Sequence, residues 1–178
     1  MEKMNLYHTS NVIIEDPDIK RGRENADFGQ GFYLTSDYEF CKRWILQDAY
    51  INVYELDIEE LDVVRFERDQ KWFDYIFNNR RKNDKINADV IIGPIANDTI
   101  YETYGVLSSG FIQPSDAAKL LQVGPQYTQV AIKYLKAREK LKWIKADFVP
   151  ADDGMKNLRF KEEETYQKQL SEAMEEIG

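Results

Sequence analysis

The stretch from Asp27 to Phe40, DFGQGFYLTSDYEF, constrains the fold of this chain more than any other segment. Gly29 and Gly31, one residue apart, let the backbone take positive φ angles and approach another group closely. The strand-like run GFYLT follows at once, and Ser36 and Glu39 then have the spacing of a helix capping box. The segment therefore predicts a sharp turn, a strand and a helix in immediate succession.

Strand and helix patterns alternate along the chain without the regularity of βαβ units. The segments with strand character are NLYHT, GFYLT, YINVYELDI, VVRFE, ADVIIGPI, QYTQVAI and LKWIKADFV. Helices are predicted over SDYEFCKRWILQ, DQKWFDYIFNNRR, NDTIYETYGVLSSG and PSDAAKLLQ. In the first of these helices, Phe40, Trp44 and Ile45 are expected to face inward. The pattern favours an α+β fold built mainly on an antiparallel sheet.

The last part of the chain differs in character from the rest. Residues 1–150 read as one domain, and residues 151–178 read as a highly charged C-terminal helix. Its apolar side chains recur at helical spacing and form a narrow stripe: Tyr166, Leu170, Met174 and Ile177. We expect this helix to dock either on the domain or on a partner.

Composition excludes several classes of function. Lys and Arg number 24 against 32 Asp and Glu, so the net charge of −8 argues against general affinity for nucleic acid or an anionic membrane. His8 is the only histidine and Cys41 the only cysteine, which excludes a histidine-rich metal site, a cysteine zinc cluster and an intrachain disulfide. No segment has the pattern of a signal peptide or a transmembrane helix, and a cytoplasmic protein is the simplest expectation.

Two residues invite a functional interpretation beside a structural one. Tyr33 is either one of eleven tyrosines packing a sheet or, with Leu34 in the core, a ring presented on the opposite face for stacking. His8 is either a satisfied buried histidine or a hydrogen-bond partner for a ligand hydroxyl. The segments YHTS and GQGFYLT are more specific together than either one alone.

Together these segments resemble a known family. A histidine on an N-terminal strand, followed by Gly-x-Gly-aromatic-Tyr entering a strand and helix, resembles the His-Tyr-Glu group of ADP-ribosyltransferases. The chain is more similar still to the bacterial domain-of-unknown-function family 3990, which is assigned to that fold. The resemblance rests on LYHTSN, DFGQGFYLT, ADVIIGPIANDTIYE and QVAIKYLKAREKLKWI, from Leu6 to Ile144. It implies a split pair of antiparallel sheets with NAD in the cleft between them.

The resemblance also implies roles for individual residues. His8 would hydrogen-bond the NAD ribose, Thr9 would offer its backbone to the nicotinamide carboxamide, and Tyr33 would stack on the nicotinamide ring. Gly31 and Phe32 belong to the same NAD-binding turn. No metal is implied.

The position of the family's glutamate is occupied by a glutamine. The match in QYTQVAI is Gln129, with Gln126 as the less favoured register. A glutamine keeps the hydrogen bond to a ribose hydroxyl but loses the charge that stabilises an oxocarbenium-like transition state, so slower catalysis is expected. Glu102 or Asp98 are candidate carboxylates, or else solvent-facing helix caps.

Basic residues before the glycines are candidates for the pyrophosphate. Among Lys20, Arg21 and Arg23, the preferred phosphate contact is Arg23, because a guanidinium fork suits phosphate oxygens. The alternative for this segment is a solvated charge run.

The resulting hypothesis is an NAD-dependent ADP-ribosyltransferase that modifies a macromolecular acceptor, protein or nucleic acid, and releases nicotinamide. Resemblance to toxin–antitoxin and conflict-system components also implies a small antitoxin-like protein partner. The alternatives are a non-catalytic NAD, ADP-ribose or protein-binding module with the same fold, and an interaction protein acting through its C-terminal helix. A hydrolase using Cys41, or Ser10 with His8, ranks lowest.

Overall fold

The protein is an α+β structure centred on one mixed sheet. The computed structural model describes residues 2–80, 86–96, 113, 116, 119–120 and 122–177. The strands are β1 (Lys3–Ser10), β2 (Phe32–Thr35), β3 (Ala49–Asp57), β4 (Val63–Arg65), β5 (Val90–Pro94), β6 (Thr128–Ile132) and β7 (Leu141–Val149). The helices of the described part are α1 (Tyr38–Lys42), α2 (Gln70–Asn79), α3 (Leu135–Glu139) and α4 (Asp153–Ile177), with a 3-10 turn at Ile19–Arg21.

The seven strands lie in the order β4-β5-β6-β2-β1-β3-β7. All neighbouring pairs are antiparallel except β4 and β5, which are parallel. The expected split into two small sheets is not what the strand pairing gives, since the strands form one continuous ladder. The pair of neighbouring strands with the fewest paired residues is β1 and β2, where only Tyr7 and Thr35 are paired in register.

Two apolar clusters cover the two faces of the sheet. One, which we call the aromatic cluster, lies under α2 and α4 and combines the large rings of Phe28, Trp72, Phe73 and Tyr166 with smaller apolar side chains such as Ile76 and Ala131. The other contains residues of the opposite face, including Leu6, Phe32, Leu34, Tyr54, Val130 and Ile132. Because successive residues of a strand point to opposite faces, the β2 run alternates between the two clusters. A smaller cluster joins α1 to β3.

The helix after β2 differs from the sequence-based expectation. Its N-cap is Asp37, whose carboxylate accepts the backbone N–H of Phe40 at 3.1 Å, so Ser36 is not the cap. The helix ends at Lys42, which leaves the following residues in turns. Phe40 and Ile45 are buried as expected, but Trp44 is 55% exposed, so the expectation that it faces inward is wrong. The two helices expected over residues 97–122 lie largely outside the described residues.

The C-terminal helix α4 packs against the aromatic cluster through Tyr166 and Leu170, both buried. Burial of a leucine side chain such as that of Leu170 stabilises the packed state by roughly 1.5–3 kcal/mol, so this one contact contributes much to holding α4 on the domain. Met174 is 41% exposed, so the expected stripe is buried only in part. Within the described part of the chain, no helix is both long enough and apolar enough to cross a membrane.

Candidate functional site

The turn before β2 is held by the hydroxyl group of Tyr33. That hydroxyl donates to the carbonyl of Gly29 at 2.6 Å and accepts the N–H of Phe28 at 2.9 Å. Gly29 has φ of 74°, a conformation that glycine adopts without strain. The side chain of Tyr33 therefore fixes the backbone that precedes it.

Gly31 has a different role from the one expected, because its φ is not positive. A Cβ at this position would lie 2.7 Å from the carbonyl oxygen of Ile132 and would clash with the backbone of β6. The glycine is needed for the close approach of the turn to β6.

Tyr33 and Gln129 lie on the same face of the sheet. Thr35 is directly opposite Gln129 in the antiparallel β2–β6 pair, and Tyr33 is two residues before Thr35 on the same strand. The Tyr33 ring is partly buried and packs beside Phe28 with ring centroids 6.4 Å apart. Two of the three residues predicted to be catalytic are thus brought to one face by adjacent strands.

A carboxylate that sequence reasoning missed lies next to Gln129. The Nε2 amide of Gln129 donates to Oδ2 of Asp27 at 3.0 Å and to the carbonyl of Pro94 at 3.3 Å. The other oxygen of Asp27 accepts Nε and Nη2 of Arg80 at 2.8 and 2.7 Å. Asn79 completes the arrangement by donating to the backbone carbonyl of Asp27 at 3.1 Å. We call Asp27, Arg80 and Gln129 the carboxylate–amide cluster.

The cluster has a clear electrostatic consequence for Gln129. Both amide hydrogens point at acceptors, so the orientation of the amide is fixed with Oε1 turned away from Asp27. Hydrogen bonding of an amide N–H to a carboxylate polarises the amide and strengthens its oxygen as an acceptor. No described residue donates to that oxygen. The signal available in the sequence was the position of Asp27 two residues before Gly29.

His8 links β1 to β2, the two neighbouring strands with the fewest paired residues. Its Nδ1 lies 2.7 Å from the backbone carbonyl of Tyr33, and since a carbonyl only accepts, Nδ1 carries the proton. Burial lowers the pKa of His8, partly offset by this hydrogen bond, so the imidazole is neutral at pH 7. Its ring packs on Phe32 at 4.5 Å, on the face opposite the Tyr33 ring. The structure links His8 to Tyr33 through the backbone without placing the two rings side by side.

The remaining predicted residues are placed as follows. Thr9 pairs with Ile51 of β3, and its hydroxyl donates to the carbonyl of Cys41 at 2.6 Å. Arg23 is exposed, and no carboxylate of the described residues forms an ion pair with it. Gln126 is exposed, whereas Gln129 is 9% exposed. Asp98 and Glu102 lie outside the described residues.

The alternative nucleophiles are poorly suited to catalysis. Burial raises the pKa of the Cys41 thiol to about 11, which disfavours the thiolate. Ser10 accepts the backbone N–H of Val12 at 3.2 Å, and no described contact joins it to His8. In the described ranges, no group of three His, Cys, Asp or Glu side chains is arranged to hold a metal ion.

A separate cleft of about 610 Å³ opens between α1, the ends of β5 and β6, and α4. Its basic side chains are Arg43, Arg68, Lys156 and Arg159, and its aromatic ones are Phe40, Trp44, Tyr127, Phe160 and Tyr166. Two carboxylates, Glu162 and Glu163, also line it. None of the residues predicted from the sequence to bind NAD is part of this lining.

The fold and the site together define a class of protein. It is an α+β domain with one mixed sheet, in which a tyrosine is hydrogen-bonded to the turn that precedes its strand. A glutamine whose amide orientation is fixed lies on the adjacent strand. Residues 4–143 match the model of the family described as "Protein of unknown function (DUF3990)". The chain belongs to this family, and α4 lies beyond the matched residues. Comparison with curated proteins gave no match, and neither did comparison with solved structures.

Proposed function

We propose that this protein is an NAD-dependent ADP-ribosyltransferase that transfers ADP-ribose to a macromolecular acceptor. The observation that carries the proposal is the presence of the Tyr33 ring and the oriented amide of Gln129 on one face, on adjacent antiparallel strands. The resemblance of YHTS and GQGFYLT to the His-Tyr-Glu transferases supplies the reaction class. NAD is the substrate, and nicotinamide is the leaving group.

In this proposal Tyr33 supplies the stacking surface for the nicotinamide ring. A flat cationic ring is attracted to the face of a tyrosine, by roughly 0.5–2 kcal/mol depending on how dry the contact is. The Tyr33 hydroxyl is already bonded to Phe28 and Gly29, so the ring does not have to be ordered when the ligand binds. Arg23, exposed in the preceding loop, is the proposed phosphate contact.

The carboxylate–amide cluster performs the task that a glutamate performs in relatives with the full motif. Positive charge develops on the ribose as the glycosidic bond breaks, and a nearby negative charge stabilises it. Asp27 carries that charge, while the Gln129 oxygen that it polarises accepts a hydrogen bond from a ribose hydroxyl. Because Arg80 compensates part of the charge, we expect slower turnover than a free carboxylate would give.

The cluster also explains why glutamine suits this position better than glutamate. In Gln129→Glu, two carboxylates would face each other at about 3 Å, and one of them would have to bind a proton or move away. The amide avoids this conflict because one of its N–H groups donates to Asp27 and the other to the carbonyl of Pro94. The preference for glutamine is thus a property of the pair of residues.

His8 has a positioning role in the proposed reaction. Its neutral imidazole donates to the carbonyl of Tyr33 and so ties β1 to β2 at the strand that carries the stacking ring. The resemblance further assigns a ribose hydrogen bond to His8, for which Nε2 is the remaining ring nitrogen.

A second candidate function has its own support. Both N–H groups of Gln129 are used in bonds within the protein, and its side chain is 9% exposed. This arrangement suits a module that binds NAD or ADP-ribose and leaves it intact.

Nicotinamide release from NAD by the purified protein separates the two candidates. We expect release to require an acceptor from lysate and to be lost in Tyr33→Ala and strongly reduced in Gln129→Ala. Glu39→Gln, at an exposed helix position, serves as the control that retains activity. Saturable NAD binding without nicotinamide release in any lysate would favour the binding module. Release unchanged in Tyr33→Ala would refute the assigned site.

A further inference from the structure

The cleft between the domain and α4 does not belong to the site described above. Six of its fifteen lining residues come from α4, including Lys156, Arg159, Phe160 and Tyr166. Since α4 lies beyond residues 4–143, this cleft depends on a helix that the family model does not include. Its volume of about 610 Å³ is within the usual range for a small-molecule site.

The inner wall of the cleft contains a buried cation. Arg68 is 7% exposed, and its Nη1 and Nη2 donate to the carbonyls of Gly124 and Val123 at 3.1 and 2.9 Å. No carboxylate of the described residues pairs with it, and its Nε has no hydrogen-bond partner. A buried guanidinium is costly without a compensating negative charge.

Tyr166 is a second unsatisfied group on the same wall. The residue is 2% exposed, and its hydroxyl has no hydrogen-bond partner in the part of the chain that the structure describes. Burial raises the pKa of Tyr166 to about 12, although the nearby charge of Arg68 acts in the opposite direction. Tyr166 therefore stays a neutral O–H donor. Two unpaired donors on one wall favour an acceptor-rich, anionic ligand.

The mouth of the cleft combines positive charge with exposed aromatic rings. Trp44 is 55% exposed and Phe160 is 66% exposed. The guanidinium of Arg159 lies 5.8 Å from the centre of the Trp44 ring, and no described carboxylate forms an ion pair with it. Exposed aromatic faces next to unpaired arginines suit a ligand that joins a flat ring to a phosphate.

The two carboxylates of the cleft do not cancel this charge. Glu162 forms an ion pair with Arg43 and accepts the hydroxyl of Tyr127 at 3.4 Å. Glu163 accepts a hydrogen bond from the neutral Gln167 side chain at 2.9 Å and keeps its negative charge, but the four basic side chains of the lining outnumber its two carboxylates. Arg68 and Arg159 remain as the cations that a ligand would meet.

We propose that the cleft between α1, the β5 and β6 ends and α4 binds a nucleotide. Its base stacks on Trp44 and Phe160 at the mouth, and its phosphate lies toward Arg159 and Arg68. The nucleotide supplies the negative charge that Arg68 lacks and ties α4 to the domain. Neither Tyr33 nor Gln129 lines this site, and the proposal does not depend on the transferase activity.

AMP is the probe that tests the proposal, with binding measured by calorimetry and by quenching of tryptophan fluorescence. We expect saturable binding to the full chain, weakened about ten- to hundred-fold in Arg159→Ala through loss of a charge-assisted contact. Phe160→Ala should weaken it similarly through loss of base stacking. Arg65→Ala is the matched control, because Arg65 is an exposed arginine of β4 outside the cleft.

Two further variants and a second ligand complete the test of the proposed site. Arg68→Gln, with its fold checked by circular dichroism, should also lose AMP binding, whereas Tyr33→Ala should retain it. Inorganic phosphate should bind more weakly than AMP, because it has no ring to stack. The proposal is overturned if AMP does not bind at millimolar concentration, or if phosphate binds as tightly as AMP. It is equally overturned if Tyr33→Ala abolishes binding while Arg159→Ala leaves it intact.

Discussion

Replacing Asp27 by asparagine tests the carboxylate–amide cluster directly. Asparagine has one side-chain oxygen, so it cannot accept both Arg80 and Gln129, and its NH2 group must face one of these two donors. The charge that holds the two bonds from Arg80 is also lost. The Asp27 and Arg80 side chains are 12% and 20% exposed, so solvent replaces little of what is lost.

The expected cost follows from these contacts. Hydrogen bonds to charged groups contribute about 1.5–3 kcal/mol each, roughly twice the neutral value, and breaking a fully buried pair costs about 3–5 kcal/mol. For a pair that is mostly buried, we expect Asp27→Asn to lower the free energy of unfolding by about 2–3 kcal/mol. The change should appear in the urea midpoint with an unchanged slope.

A double-mutant cycle with Arg80→Gln isolates the ion pair. We expect a coupling free energy of about 1–2 kcal/mol between positions 27 and 80, because the two groups contact each other through two bonds. Glu39→Gln is the control, since Glu39 is 74% exposed in its pair with Lys42 and should cost less than about 0.5 kcal/mol. A loss below about 0.5 kcal/mol in Asp27→Asn would refute the assignment of a structural charge to the cluster.

Three further perturbations test other parts of the structure. Gly31→Ala should lower the free energy of unfolding by about 1–3 kcal/mol, because its Cβ would lie 2.7 Å from the Ile132 carbonyl; near-wild-type stability in urea would contradict the close approach. Cys41, whose pKa burial raises to about 11, should react with iodoacetamide at about pH 8 far more slowly in the native protein than in urea, as followed by mass spectrometry. Burial lowers the pKa of His8, so the unfolded chain binds a proton that the native one does not, and stability falls as the pH drops below about 6.5 toward the native pKa. Urea unfolding at about pH 7.5 and about pH 5.5 should therefore show a larger loss in wild type than in His8→Asn, and equal losses would contradict it.

Much of the sheet could be predicted from local pattern. β7 was expected over LKWIKADFV and is found at Leu141–Val149, β5 lies within its predicted segment, and β3 begins at Ala49, one residue before its predicted segment. These strands could be predicted because burial of one face of a sheet requires apolar and polar residues to alternate along each strand. Helix α3 was missed because Leu135–Glu139 is five residues long, too short to show a helical period.

Two details around α1 could not be predicted from the sequence pattern: which residue caps the helix, and where the helix ends. Ser36 and Asp37 are both good caps, and the carboxylate of Asp37 is the one that accepts the Phe40 N–H. Trp44 was expected inside because it has helical spacing from Phe40. The helix ends at Lys42, however, so Trp44 lies beyond the helix and its spacing from Phe40 does not place it on the buried face.

The sequence by itself determined the family, the strands and the turn that presents Tyr33, because these depend on residues close together along the chain. Tertiary structure alone decided what lies beside Gln129. Asp27 is separated from it by 102 positions and reaches it only because β2 pairs with β6. The cleft beside α4 likewise depends on residues far apart in the chain, such as Arg43 and Glu162, which form an ion pair. Local propensity carries no information about which distant side chains a ladder of strands will bring into contact, and for this reason the chemistry of the site had to be read from the fold.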